Sequence, residues 1–192
     1  GALFAYEAED IQPDIITIAK GLGAGYQPIG AFLCSDQIYQ TIADGSGFFQ
    51  HGHTYLGHPT ACAAAYAVLQ KMISQNLPAR VQMMGGKLQK ALHDTFGQHP
   101  HIGDIRGRGL FLGLEFVQDR GQKTPFDPKL GINRKIRAAA FEAGLICYPM
   151  GGTIDGKFGD HLLLAPPFII DDHHIDEIIT KLSTACAATL SA

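Results

Sequence analysis

Asp14-Ile-Ile-Thr-Ile-Ala-Lys20-Gly-Leu-Gly-Ala-Gly-Tyr-Gln-Pro-Ile-Gly-Ala31 is the stretch that decides the fold of this chain. Ile15, Ile16 and Ile18 are β-branched and follow Pro13, so 14–19 reads as a short buried strand. The strand ends at Lys20, and Gly21, Gly23 and Gly25 follow at alternate positions. A second apolar strand is expected over 29–34. A lysine at the end of a buried strand stands where ligands dock on open α/β sheets. Glycines beside it let backbone approach a ligand closely. Read alone, a lysine in this place is far more often an ordinary surface residue at a strand end.

Downstream of this block, Ser35 and Asp36 are good caps for a short helix over 36–43. A loop at 50–58 precedes a helix from Pro59 to about Gln75, with proline suited to the first turn. That helix is apolar on most sides, which predicts burial rather than amphipathic packing. Leu77, Val81, Met84, Leu88, Leu92 and Phe96 mark a second helix with a polar back face, ended by Gly97 and placed to link two domains. From His101 the pattern becomes strand–helix–strand–strand–helix. Residues 102–108 lead into an alternating strand over 110–117; strands are also expected over 145–149 and 161–170, helices over 131–143 and from Asp171 or Asp172, and a glycine-rich loop over 151–159. Pro166-Pro167 would make 161–170 an edge or bulged strand. The expected domains are 1–98 and 99–192: the end of a large three-layer α/β domain, then a small α+β domain.

Composition narrows the function. Hydrophobic residues make up 46% of the 192, enough for a real core. Fifteen basic against eighteen acidic residues give a net charge of −3 with no basic stripe, so nucleic acid is not an expected partner. The apolar runs 61–69 and 162–170 fall short of the ~20 residues that span a bilayer, so no membrane is expected either. Cys34, Cys62, Cys147 and Cys186 are widely spaced and form no CxxC pair, which argues against a disulfide framework or zinc and for the cytoplasm. The chain starts at Gly1 without a methionine, already inside an apolar segment, and reads as a piece of a longer enzyme.

Two blocks carry a family resemblance. Pro13-Asp14-Ile15-Ile16-Thr17-Ile18-Ala19-Lys20-Gly21 with Pro28-Ile29-Gly30-Ala31 resembles the Schiff-base lysine segment of the class III, fold type I aminotransferases that use pyridoxal 5'-phosphate. The stretch His51-Gly-His-Thr-Tyr-Leu-Gly-His-Pro-Thr-Ala-Cys-Ala-Ala-Ala65 resembles the family's Thr-[Phe/Tyr]-x-Gly-x-Pro-x-Ala-Cys-Ala-Ala segment. The likeness runs to the C-terminus. It implies the end of a large domain built on a mostly parallel sheet, followed by a small α+β domain. It also implies an amino donor, an oxo-acid acceptor and a homodimer with shared active sites. Gly1 would be the last glycine of an upstream Gly-Arg-Thr-Gly stretch.

By that resemblance Lys20 is the catalytic and cofactor-holding lysine. Partial burial would favour its neutral, nucleophilic form. Thr54, with the backbone of His53 nearby, would contact the phosphate of the partner subunit's cofactor. A metal site at His51, His53 and His58 is the rival reading, weakened by the lack of a nearby carboxylate or cysteine. Arg106 and Arg108 could bind a carboxylate or form surface salt bridges. Many relatives carry a carboxylate-clamping arginine two positions before Ala-Pro-Pro, where this chain has Leu163. That puts the clamp in doubt, with Arg108 the nearest cation considered. The family's pyridine-nitrogen aspartate, ring-stacking aromatic and phosphate loop would lie upstream, so these residues alone should be inactive. The rival functions are an aminomutase, racemase or decarboxylase of the same fold, and a non-catalytic folded module.

Overall fold

The computed structural model describes residues 2–190, so Gly1 and its match to an upstream motif lie outside it. The chain separates into two compact units, 2–77 and 78–192.

In the first unit, β1 (Ile15–Ala19) and β2 (Gly30–Cys34) pair antiparallel, with Ile15 opposite Cys34 and Ala19 opposite Gly30. The β-branched run forms the strand expected, but the strand is not buried. Ile16 and Ile18 are half-buried, while Ile15 is 57% exposed and every residue of β2 is exposed. Helix α1 (Asp36–Asp44) begins after Ser35, the position expected, but the serine side chain makes no capping hydrogen bond. Helix α2 (Pro59–Ser74) has the proline at its start. Its apolar composition had predicted burial, yet only Ala61 and Ala65 are buried, and Tyr66 and Ile73 are 66% and 74% exposed. The physical reason is common to strand and helix: nothing among the described residues covers them.

The second unit holds a closed core. Helix α3 (Leu77–Phe96) turns Met84, Leu88, Leu92 and Phe96 into it, so the helix read as a linker between domains packs with the residues that follow. Strands β3 (Ile102–Arg108), β4 (Phe111–Phe116), β5 (Tyr148–Ile154) and β6 (Phe158–Leu164) form one antiparallel sheet in the order β3-β4-β6-β5. Both sheets of the described residues pair antiparallel. Alternation sorts the faces. Ile105, Leu112, Leu114, Leu162 and Leu164 go under the helices, joined by Ile136 of α4 (Ile132–Glu142) and Ile175, Ile178, Leu182 and Cys186 of α5 (Asp172–Leu190).

Two expectations in this unit fail for local reasons. The glycine-rich segment 151–159 is mostly strand. Its turn is confined to Asp155-Gly156-Lys157, where Asp155 and Gly156 take positive φ, and β5 and β6 run up to it from either side. Strand β6 stops at Leu164 and lies between β4 and β5, so Pro166-Pro167 follow the strand instead of marking an edge. Helix α3 also approaches the β3–β4 hairpin backbone to backbone. A Cβ built on Gly85 would stand 2.3 Å from the carbonyl oxygen of Gly109.

Candidate active site

Lys20 stands where β1 gives way to a single 3-10 turn, Lys20–Gly23. The turn is closed by Ala24 N–H donating to the Gly21 carbonyl at 3.1 Å and Tyr26 N–H to that of Gly23 at 2.8 Å. Lys20 itself has φ 50°, in the left-handed region that side chains with a Cβ seldom enter. Backbone strain of this kind collects at functional sites, where the surrounding structure holds it. Lys20 borders a shallow concavity of about 360 Å³ together with Thr17, Ile18 and Ala19. Next to it, a Cβ added at Gly21 would meet nothing within 4 Å, so the approach to the lysine is open. The partial burial expected for Lys20 is absent: the residue is exposed.

The loop before α2 is ordered by its own imidazoles. His53 accepts the Tyr55 N–H at Nδ1 (3.2 Å), and its carbonyl accepts the Leu56 N–H at 2.8 Å. His58 is the N-cap of α2: its Nδ1 accepts the Ala61 N–H at 3.4 Å. An Nδ1 that accepts leaves the imidazole proton on Nε2, facing away from the backbone it caps. The rings of His53, Tyr55 and His58 follow one another at centroid spacings of 5.9 and 6.4 Å. Thr54 opens the turn between them. His53, Tyr55 and His58 line a concavity of about 610 Å³ with Pro28, Ile29 and Gly30. Neither Lys20 nor Thr54 lines it, so the lysine and the threonine loop serve separate hollows of the same unit. The cap made by His58 was missed in the sequence, where the signal was a histidine directly before the helix-starting proline.

Among the described residues no group of three His, Cys, Asp or Glu is placed to hold a metal ion, and no helix is long and apolar enough to cross a membrane. Arg106 follows the salt-bridge alternative: its Nη1 donates to Asp104 Oδ2 at 2.8 Å and to Glu115 Oε2 at 3.0 Å. Leu163 lies opposite Gly113 on β4 and Tyr148 on β5, on the sheet face turned away from the helices. Arg108 pairs with Phe111 at the hairpin end, one row beyond Leu163's neighbours.

The sequence model of the family described as aminotransferase class-III matches residues 1–186. The chain belongs to this family. An uncharacterized aminotransferase of Schizosaccharomyces pombe is 44% identical over 196 residues, covering 100% of this chain and 42% of its own length. A transaminase from the marine bacterium Virgibacillus superposes with a TM-score of 0.91 at 30% identity, over 98% of this chain and 42% of that one. An amine transaminase from an uncultivated Pseudomonas species, solved in its PLP-bound form, superposes at 0.86 with 32% identity, over 98% and 41%. The chain thus spans about two fifths of the length of these relatives. The α/β arrangement described above is part of the transaminase fold.

Proposed function

We propose that these residues carry the lysine-bearing part of a pyridoxal-phosphate-dependent aminotransferase, which moves an amino group from an amine or amino acid donor to an oxo acid. The supporting observation is Lys20: a strained, exposed lysine at a strand end, open on its glycine side, inside the family match. These residues fit the cofactor. The Lys20 amine would hold its aldehyde carbon, and Thr54 and His53 would hold the phosphate of a cofactor shared across a homodimer. Bound there, pyridoxal phosphate supplies an electron sink for bonds to the substrate's amine-bearing carbon.

This chain's own residues supply orientation and proton movement. Lys20 Nζ, in its neutral form, can take a proton from one atom and return it to another within its reach. The 3-10 turn fixes where its side chain starts. The Thr54 hydroxyl offers one O–H donor to an anion, on a turn fixed by hydrogen bonds from Tyr55 and Leu56 to His53. By chemical role we assign 1–98 to the large cofactor-binding domain and 99–192 to the small one, a division that differs from the compact units by helix α3. The four cysteines are unpaired, which suits the cytoplasm.

Borohydride reduction of the full-length enzyme followed by peptide mapping tests the reading. The reduced cofactor should be found on Lys20, and Lys20→Ala should lose the bound cofactor's visible absorbance. A cofactor adduct on another lysine would sink the assignment. Adding an amino donor should convert the cofactor to its amine form, which a racemase or decarboxylase would not accumulate.

A further inference from the structure

Lys20 shares its hollow with a second polar side chain. The concavity of about 360 Å³ is bounded by Thr17, Ile18, Ala19 and Lys20, so the polar groups of its side chains are one hydroxyl and one amine. In a regular strand, residues three apart face opposite sides of the sheet. Thr17 lies within β1, opposite Phe32 of β2, but Lys20 lies just past the strand's end. The chain turns there at φ 50°, which breaks the alternation, and Thr17 and Lys20 border one hollow. The strained backbone at Lys20 thereby brings a strand hydroxyl and a turn amine to the same place.

Neither group is taken. The Thr17 hydroxyl and the Lys20 amine have no hydrogen-bond or ion-pair partner among the described residues. No carboxylate lines the hollow to compete for the amine. Strand propensity alone accounts for a threonine at this position, but valine would serve that purpose as well. What threonine adds is the hydroxyl.

We propose that Thr17 is a positioning residue for Lys20: its hydroxyl accepts an N–H from the lysine amine and holds Nζ over the hollow. A hydroxyl oxygen offers acceptor lone pairs to an amine in either protonation state. A lysine amine rides on a flexible four-carbon stem, and unheld it is spread over many rotamers. One bond near its tip removes much of that spread. Held there, the amine meets a carbonyl carbon from one direction, and it stays where a proton it has taken must be returned. The inference rests on the reading of Lys20 as the cofactor lysine and adds a second residue to it.

The test times cofactor loading. The full-length enzyme is stripped of cofactor, pyridoxal phosphate is added, and the growth of visible absorbance is followed. Thr17→Val keeps the branched shape and removes the hydroxyl, whereas Thr17→Ser keeps the hydroxyl and removes a methyl. Loading should slow about threefold to tenfold in Thr17→Val, the span of one hydrogen bond's net worth, and stay near native in Thr17→Ser. In steady state kcat should fall by a similar factor in Thr17→Val while KM stays near native. A purely structural threonine gives the reverse order, because valine suits a strand better than serine. Thr17→Ala supplies the comparison if Thr17→Val folds poorly. Native loading in folded Thr17→Val would overturn the inference, as would loading slower in Thr17→Ser than in Thr17→Val. Peptide mapping of the reduced enzyme separates the two readings. Cofactor on another lysine sinks the proposed function, whereas cofactor on Lys20 with native loading in Thr17→Val sinks this inference alone.

Discussion

Gly85→Ala and Gly86→Ala place the same methyl group on adjacent positions of α3, with opposite expected outcomes. Alanine is favoured over glycine inside a helix by about 1 kcal/mol, so both variants gain that much locally. At Gly86 the new Cβ meets nothing within 4 Å, and the gain stands. At Gly85 it would lie 2.3 Å from the Gly109 oxygen and 2.4 Å from the Gly109 carbon, about 1 Å short of the 3.4 Å where ordinary contact begins. The obstacle is backbone, so no rotamer change relieves it. Gly109 cannot retreat freely either: it holds φ 57°, and a Cβ there would meet Val81 Cγ1 of the same helix at 2.8 Å. Overpacking typically costs about 1–3 kcal/mol, and a backbone collision belongs at the upper end. The net expectation is a loss of about 2 kcal/mol for Gly85→Ala and a gain of about 1 kcal/mol for Gly86→Ala. Urea unfolding followed by circular dichroism reads the contrast directly. With slopes of about 1–3 kcal/mol per molar, the two midpoints should differ by roughly 1 M or more. A Gly85→Ala midpoint at or above the native one would show that α3 does not rest on the hairpin, and the close-approach argument would fall.

Three further outcomes are expected. Thr54→Ala should weaken cofactor binding by about 1–3 kcal/mol, the scale of a hydrogen bond to a charged group left unmade, and retention of cofactor on dialysis equal to the native enzyme would refute the phosphate role. Asp160 is 6% exposed and accepts the Asn133 N–H at the start of α4, and burial raises its carboxyl pKa in the folded state. The stability tied to that raised value is present below the unfolded pKa and is lost as pH rises through the folded one. Asp160→Asn keeps the acceptor without the charge, so its melting temperature should gain on the native protein between about pH 3 and pH 7, while Asp160→Ala should lose at both; a flat Asn-minus-native difference would contradict this. Burial pushes the Cys147 thiol up to about 11, against a smaller opposing effect from Arg137. Its alkylation rate, read by mass spectrometry, should therefore rise about tenfold per pH unit between about pH 8 and pH 10, and a plateau in that range would disprove the shift.

Local periodicity made most of the second unit legible. The stripe from Val81 to Phe96 and that from Ile175 to Cys186 name residues that do enter or pack on one core, because an amphipathic helix records its burial in its spacing. The sheet was harder. Gly151, Gly152, Gly156 and Gly159 read as a loop, since glycine is rare in strands, yet three of them belong to β5 and β6 and only Gly156 lies in the turn. In the first unit the Ile15–Ile18 run and the Pro59 helix start were readable as elements, but their burial was not. Apolar composition states what a segment needs covered, and the covering residues need not be within 77 residues of it. For the site, the glycines around Lys20 pointed to the lysine, whereas the place of Thr17 in the same hollow could not be seen. It depends on the turn at Lys20, whose φ of 50° ends the alternation of the strand.

The bare face of the first unit bears on how the polypeptide survives. Ile15, Phe32, Leu33, Phe48 and Phe49 all stand in water, and the buried side chains nearby are small alanines. Amide hydrogens in β1 and β2 therefore sit in a segment with little to hold it closed, while those of β4 and β6 lie over a filled interior. A protease given this chain by itself should cut first within residues 2–77 and leave 78–190 as the resistant product. In a cell the same ordering applies: exposed Ile15, Phe32 and Leu33 make that stretch the one that chaperones and the degradation machinery would engage first.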